Sequence, residues 1–259
     1  MASAGARFLE GRTALVTGGG RGIGAACARA LAGAGARVVV TGRTTADLEA
    51  LARETGGVAL RVDLGDRADT DRMLGELAAA VGRVDILVNN AGIAESAPLD
   101  RATDALWDRI MEINATAPFR LTRALVPAMV AAKWGRVVTI ASNAGVSGYG
   151  YSAVYCASKH AVVGMTRALA VDLGRTGVTI NALCPGWVDT AMAQAAVDTI
   201  AAKTGRSAGD ARGALEAMSP QRRLIQPDEV AHAMLGLCAD GARGIHGQAI
   251  VIDGGAILK

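Results

Sequence analysis

Aromatic residues are scarce in this chain: Phe, Trp and Tyr make up 3% of its 259 residues. A nucleic-acid surface interleaves stacking rings with basic patches. Here the 27 Lys and Arg are nearly matched by 24 Asp and Glu and form no basic block, so the net charge of +3 is a mild, dispersed excess. No nucleic-acid partner is expected. Cysteine is also sparse, limited to Cys27, Cys156, Cys184 and Cys238. None forms a C-x-x-C pair, and no His lies at metal-ligand spacing from one, so no metal site is expected. They read as reduced, buried thiols of a reducing compartment. No uncharged apolar run reaches the ~18 residues of a membrane span. The opening "MASAGARFLEGRTALVTGGG" lacks the apolar core of a signal peptide. A soluble, cytoplasmic protein with no membrane partner is the expectation.

Apolar residues, by contrast, are plentiful at 51%, enough for a sizeable core. They fall into short runs separated by longer helical stretches. Predicted strands are "TALVT" (13–17), "RVVVT" (37–41), "VALRV" (58–62), "VDILVN" (84–89), "RVVTIA" (136–141), "VTINAL" (178–183) and "QAIVID" (248–253). Most lack polar alternation, as strands buried on both faces do. Helices are predicted over 23–34, 46–53, 70–81, 103–132, 152–174 and 227–238. This order predicts right-handed crossovers and a single α/β domain, residues 1–259, built on a Rossmann-type, doubly wound, parallel seven-stranded sheet. Residues 188–226 break the rhythm. They read as short helices, "MAQAAVDTIAAKTG" and "SAGDARGALEAM", forming a substrate lid beside the sheet's carboxyl edge.

Between the first strand and first helix stands "TGGGRGIG". Gly18, Gly20, Gly22 and Gly24 permit a tight turn and close approach of a diphosphate. The helix start that follows, near Ile23, offers free N–H groups and a positive dipole end. In this strand–turn–helix context the motif predicts a dinucleotide site. The second strand ends "VVVTGRTT". Gly42 stands where a carboxylate would hold a free ribose 2′-hydroxyl. Arg43 and Thr44 follow it, and Arg21 lies in the glycine turn. Two guanidiniums at that corner suit a 2′-phosphate, so NADP(H) is expected in preference to NAD(H).

The chain resembles the short-chain dehydrogenase/reductase family along nearly its whole length. The matching segments are "TGGGRGIG", "VDL" with Asp63, "NNAG" at 89–92, Asn114 in "EINAT", Ser142 in "IASNAG", Tyr155-x-x-x-Lys159, and "CPGWVDT" at 184–190. The resemblance implies that Asn114, Ser142, Tyr155 and Lys159 are catalytic. Ser142 would hold a carbonyl oxygen and Tyr155 would be its acid or base. Lys159, one helical turn on, would lower the phenol's pKa and hold the nicotinamide ribose. Asn114 would open its helix locally and hold a proton-relaying water. Asp63 and Leu64 would meet the adenine, and Asn90, Ala91 and Gly92 the adenosine ribose. Pro185, Gly186, Val188 and Thr190 would cover the nicotinamide. His160, His232 and His246 receive no role.

The substrate pocket is expected to involve 93–95, 143–151 with Asn143, Tyr149 and Tyr151, then Trp187 and Met192, an apolar wall for an acyl or ring compound. The segment from Tyr155 to Ala193 is similar to bacterial polyketide ketoreductases, and the lid to 3-hydroxybutyrate dehydrogenases. Both imply a small 3-oxoacyl carbonyl/alcohol substrate, possible as an acyl thioester. Lys133 and Arg175 are the candidate contacts for a carrier protein, or plain surface charges. An NAD-dependent alcohol dehydrogenase and a non-catalytic dinucleotide-binding regulator are the alternatives. Wide apolar faces on 103–132 and 152–174, including Ala161, Met165 and Leu169, point to a homotetramer, with a dimer as the fallback.

Overall fold

Seven Val- and Ile-rich strands pair in parallel to form one sheet. The structure is a computed structural model describing residues 7–257; the first residues of the segment read for a signal peptide lie outside that range. The strands are β1 (Thr13–Thr17), β2 (Arg37–Gly42), β3 (Val58–Arg61), β4 (Ile86–Asn89), β5 (Gly135–Ile140), β6 (Val178–Pro185) and β7 (Ala249–Ile252). Their order is β3-β2-β1-β4-β5-β6-β7. The chain therefore winds outward from β1 on one side and then, from β4, on the other. That reversal opens a crevice at the carboxyl ends of β1 and β4, where doubly wound sheets bind ligands.

Helices α1 (Gly22–Gly33), α2 (Thr45–Thr55) and α3 (Arg67–Val81) connect the first four strands. Two cores form, one per face of the sheet. Cys27 and Leu31 pack with Met234 and Leu237 of α9 (Pro227–Cys238) in one; Met73, Leu77, Leu121 and Met129 pack together in the other. Burial pushes the Cys27 and Cys238 thiols up to about 12 each. No helix among the described residues is long and apolar enough to cross a membrane.

Several boundaries differ from the sequence reading for local reasons. The third helix begins at Arg67 because the Asp66 carboxylate caps it, accepting from the Ala68 and Asp69 N–H groups at 2.8 and 3.3 Å. β4 begins at Ile86. The preceding Asp85 is buried and accepts the Thr13 N–H at 2.9 Å. The sixth strand runs on to Pro185 because β7 pairs with it there. The largest correction concerns 103–132. It is two helices, α4 (Asp104–Met111) and α5 (Ala117–Ala131), joined by a π turn over Glu112–Thr116. Beyond α6 (Ala153–Leu173) and β6, the 188–226 stretch folds as α7 (Ala191–Thr204) and α8 (Ala208–Glu216). These two helices share a small apolar cluster of Ala193, Val197, Ala211, Leu215 and Leu224.

Candidate active site

The glycine turn sits at the head of the crevice and is braced from below. Thr17 Oγ1 accepts the N–H groups of Asn90 and Ala91, both at 3.0 Å. The Asn90 amide donates to the carbonyls of Thr17 at 2.8 Å and Gly18 at 3.1 Å. Asn90 thus spends its side chain on shaping the turn. Gly22 has φ +54°, and a Cβ there would press on Thr190 at 3.2 Å. At Gly24 a Cβ would lie 2.2 Å from the Gly18 carbonyl oxygen. The turn therefore admits no side chain at either place, and its backbone stays open for a diphosphate. No acidic residue lies in the first turn of α1 to repel one.

At the next corner, Gly42 closes β2 and Arg43 and Thr44 follow, exposed, before α2. Arg21 is exposed at the N-cap of α1. Neither Arg21 nor Arg43 has an ion-pair partner among the described residues, although many other arginines do. Gly20 lies against α2, where Asp47 comes within 3.0 Å of its virtual Cβ, and Ile23 packs on the core. Asp63 receives the Gly65 N–H on one oxygen at 2.9 Å, and Leu64 behind it is buried. The residues present fit a dinucleotide running from this corner across the turn.

The four candidate catalytic side chains converge beyond the turn. Ser142, just past β5, caps a short 3-10 turn over Asn143–Gly145 by accepting the Ala144 N–H at 3.1 Å. Its hydroxyl donates to Asn143 Oδ1 at 3.5 Å and acts on the Tyr155 phenol by favouring its ionised form. Tyr155 and Lys159 lie in the first turns of α6, and the Lys159 ammonium is 5.8 Å from the Tyr155 ring centre. Lys159 is 5% exposed, donates to the Ile140 carbonyl at 3.0 Å, and is pushed down by burial to about 8. Asn114 occupies the π turn. Its amide oxygen accepts the Ile93 N–H at 2.9 Å, and its nitrogen donates to the Ile93 carbonyl at 2.9 Å and Ser158 Oγ at 3.0 Å. The expected local opening of the helix is present as that π turn.

One electrostatic expectation is reversed. Burial holds the Tyr155 phenol above its usual value, outweighing the opposing effect of the Ser142 hydrogen bond. The same desolvation pulls Lys159 down to about 8, and in the protein alone burial, the largest influence on Tyr155, prevails over what lowers the phenol.

The strap after β6 closes the far side. Pro185 is buried at the strand end, and Gly186 bonds back to the Ile252 carbonyl at 3.0 Å. Val188 forms a parallel bridge with Ile225. Thr190 donates to the Val188 carbonyl at 3.3 Å, beside Gly22. Trp187 is half-exposed, and Met192 is exposed at the start of α7. Tyr149 is partly buried. Tyr151 is 71% exposed with φ +59°, and its carbonyl accepts the Ala97 N–H at 2.9 Å, stitching the 143–151 loop to 93–97. Asn143 also reaches Asp253, donating at 3.3 Å. Sequence reasoning missed Ser158, the partner of Asn114, and the pair Asp189–Arg212 described below. It also gave His246 no role, yet that ring bridges the Ala170 carbonyl and the Ile180 N–H at 2.7 and 3.2 Å.

Comparison with known proteins agrees with this arrangement. The short chain dehydrogenase family matches residues 12–201. The D-beta-hydroxybutyrate dehydrogenase of Cupriavidus necator is 37% identical over 97% of this chain and 100% of its own length. A 3-oxoacyl-(acyl-carrier-protein) reductase of Escherichia coli is 37% identical over 96% of this chain and 99% of its own. Among solved structures, an actinorhodin polyketide ketoreductase with NADPH superposes with a TM-score of 0.90 at 36% identity, over 99% of both chains. With the glycine turn and the Ser142, Tyr155 and Lys159 cluster at the sheet's switch point, these matches make the chain a member of the short-chain dehydrogenase/reductase family, a nicotinamide-dependent oxidoreductase of carbonyls and alcohols.

Proposed function

We propose that the protein is an NADP(H)-dependent ketoreductase interconverting a ketone of the 3-oxoacyl or polyketide type with its secondary alcohol. The observation that carries the cofactor choice is the end of β2, which closes on Gly42 rather than a carboxylate, with exposed Arg43 next to it and exposed Arg21 in the glycine turn, neither in an ion pair among the described residues. The substrate class rests on three relatives whose names share a 3-oxoacyl, 3-hydroxyacyl or polyketide compound.

The bound nicotinamide supplies or accepts the hydride. The rest falls to the chain's own groups. Ser142 holds the carbonyl oxygen beside Tyr155. The phenol, kept protonated by burial, gives its proton to that oxygen in reduction and takes it back in oxidation. Lys159 binds the ribose, and its positive charge stabilises the phenolate that Tyr155 becomes on giving up its proton. Asn114 fixes the Ile93 loop beside it and leaves the π turn's backbone to carry a relaying water. Tyr149, Tyr151, Trp187 and Met192 give the substrate apolar surface, and α7 with α8 covers it.

A substrate screen following the near-ultraviolet absorbance of the reduced nicotinamide, with both cofactors, tests this reading. Gly42→Asp sharpens it. A Cβ at Gly42 meets only Leu48 at 3.5 Å and Gly18 at 4.0 Å, so the carboxylate enters without strain. It repels a 2′-phosphate and accepts from a free ribose, and preference should move toward NAD(H) by about 1–3 kcal/mol. Wild-type kcat/KM equal or better with NADH would instead establish the NAD-dependent alternative.

The same family likeness and the surface of α6 support a homotetramer. Ala161, Gly164, Ala168 and Val171 are exposed along one stripe, Val171 at 83%. Met165 and Leu169, expected in that stripe, turn inward against the two neighbouring cores. Such small and apolar residues let a second copy's helix approach closely. Light scattering at micromolar concentration should give four chains per particle; a fully active monomer would overturn the assignment.

A further inference from the structure

The strap that covers the cofactor is held by a contact the mechanism does not use. Asp189 lies between Val188 and Thr190. Its carboxylate accepts both arms of the Arg212 guanidinium, at 3.2 Å from Nη1 and 2.8 Å from Nη2. Arg212 projects from α8 and is itself steadied by Glu216, to which its Nε donates at 3.0 Å. The strap is fixed a second time by backbone. The Asp189 N–H donates to the Ile225 carbonyl at 2.8 Å, and the Ile225 N–H to the Trp187 carbonyl at 2.9 Å. Glu229 anchors that outgoing segment, accepting the Gln226 N–H at 2.7 Å and a fork from Arg223 at 2.6 and 2.7 Å.

The contacts form a continuous chain. Arg212 grips Asp189, the next residue is Thr190, and the Thr190 methyl abuts the place where Gly22 would carry a Cβ. A shift of α8 therefore reaches Thr190, the strap residue assigned to the nicotinamide side, through Asp189 alone. The pair is only partly screened, each side chain being 37% exposed. Ordinary exposed ion pairs contribute little, but a two-point guanidinium–carboxylate fork fixes geometry as well as charge. The carboxylate also responds: the Arg212 hydrogen bonds hold Asp189 below its ordinary value.

We infer that Arg212 is a positioning residue for the nicotinamide half of the cofactor, acting through Asp189 and Thr190 and coupling the lid helix α8 to cofactor retention. The inference rests on the functional reading above, since it takes the strap to cover the nicotinamide. It separates the two halves of the cofactor. The adenosine 2′-phosphate corner at Arg21, Gly42 and Arg43 belongs to α1, β2 and α2, none of which carries Arg212 or Asp189.

The experiment is a fluorescence titration of wild type, Arg212→Ala, Arg212→Lys and the double variant Arg212→Ala/Asp189→Ala with two probes. NADPH fills the whole site; adenosine 2′,5′-bisphosphate fills only the adenosine end. Arg212→Ala should weaken NADPH about tenfold, the scale of one good charged hydrogen-bonded contact, and leave the bisphosphate unchanged. Arg212→Lys should recover little, because an ammonium cannot form the fork. The double variant should be no weaker than Arg212→Ala, since both changes remove one interaction. KM for NADPH should rise in parallel with much smaller changes in kcat. Equal weakening of both probes would mean a merely structural role and would overturn the inference, as would unchanged NADPH affinity in Arg212→Ala. Failure of wild type to bind either NADPH or NADH would instead defeat the functional reading itself.

Discussion

Tyr155→Phe should abolish turnover while leaving NADPH affinity close to wild type. The ring stays, along with its packing in the first turn of α6, and only the phenolic O–H is lost. No other group present replaces it: the serine hydroxyl of Ser142 is far too weak an acid, and Lys159, which donates to the Ile140 carbonyl at 3.0 Å, is assigned to the ribose. Loss of a positioned general acid costs about two to four orders of magnitude in rate. Single-turnover kinetics with NADPH titrated separately checks both halves of the claim. Turnover within a few fold of wild type would remove Tyr155 from the mechanism.

Lys159→Met should be nearly as damaging and should affect two quantities at once. Lys159 is assigned both to the ribose and to the charge balance of Tyr155, so kcat/KM should fall about a hundredfold or more and NADPH should bind more weakly. The protein should nevertheless remain folded, since Met fills similar space and carries no charge to bury; desolvating Lys159 is what pushes it down to about 8. That value fixes the direction of the pH dependence. Below about 8 Lys159 is the cation; above it the charge is lost, although the phenol remains protonated because Tyr155 is raised. Wild-type NADPH affinity should therefore weaken as pH rises through about 8, and Lys159→Met should lack that step. A step of equal size in the variant would assign it to another group.

Much of this arrangement was legible in the amino-acid order because it is locally encoded. The runs at 13–17 and 178–183 declare buried parallel strands by their Val and Ile content. The turn at Thr17–Gly24 declares itself because glycine is needed at Gly22 and Gly24 for reasons internal to the motif. What stayed hidden depends on residues far apart in the chain. The local opening at Asn114 was expected from the family resemblance alone, for "EINAT" holds neither Gly nor Pro; what the sequence did not show is that Ile93 and Ser158, from other elements, hold the Asn114 amide there. Asp189 and Arg212 are each unremarkable alone. The left-handed backbone of Tyr151 is set by the Ala97 bond across to another loop; sequence statistics place glycine or asparagine there. The direction of the Tyr155 shift was missed because helical spacing shows the neighbouring charge but not the burial that weakens it.

The π turn also has a consequence for the chain's arithmetic. A π turn holds one residue more than the α-helix it interrupts, so Glu112–Thr116 acts as a built-in insertion between α4 and α5. Counting apolar residues straight through 103–132 slips by roughly 100° at that point, one residue's rotation about the helix axis. The stripe of Leu106 and Ile110 and the stripe of Leu121 and Met129 are each regular, but they keep separate phase. Trimming one residue there would merge the two into a single smooth helix. The helix would be locally more ideal, yet Asn114 would rotate away from Ile93 and Ser158, and the smoother protein would be the poorer enzyme.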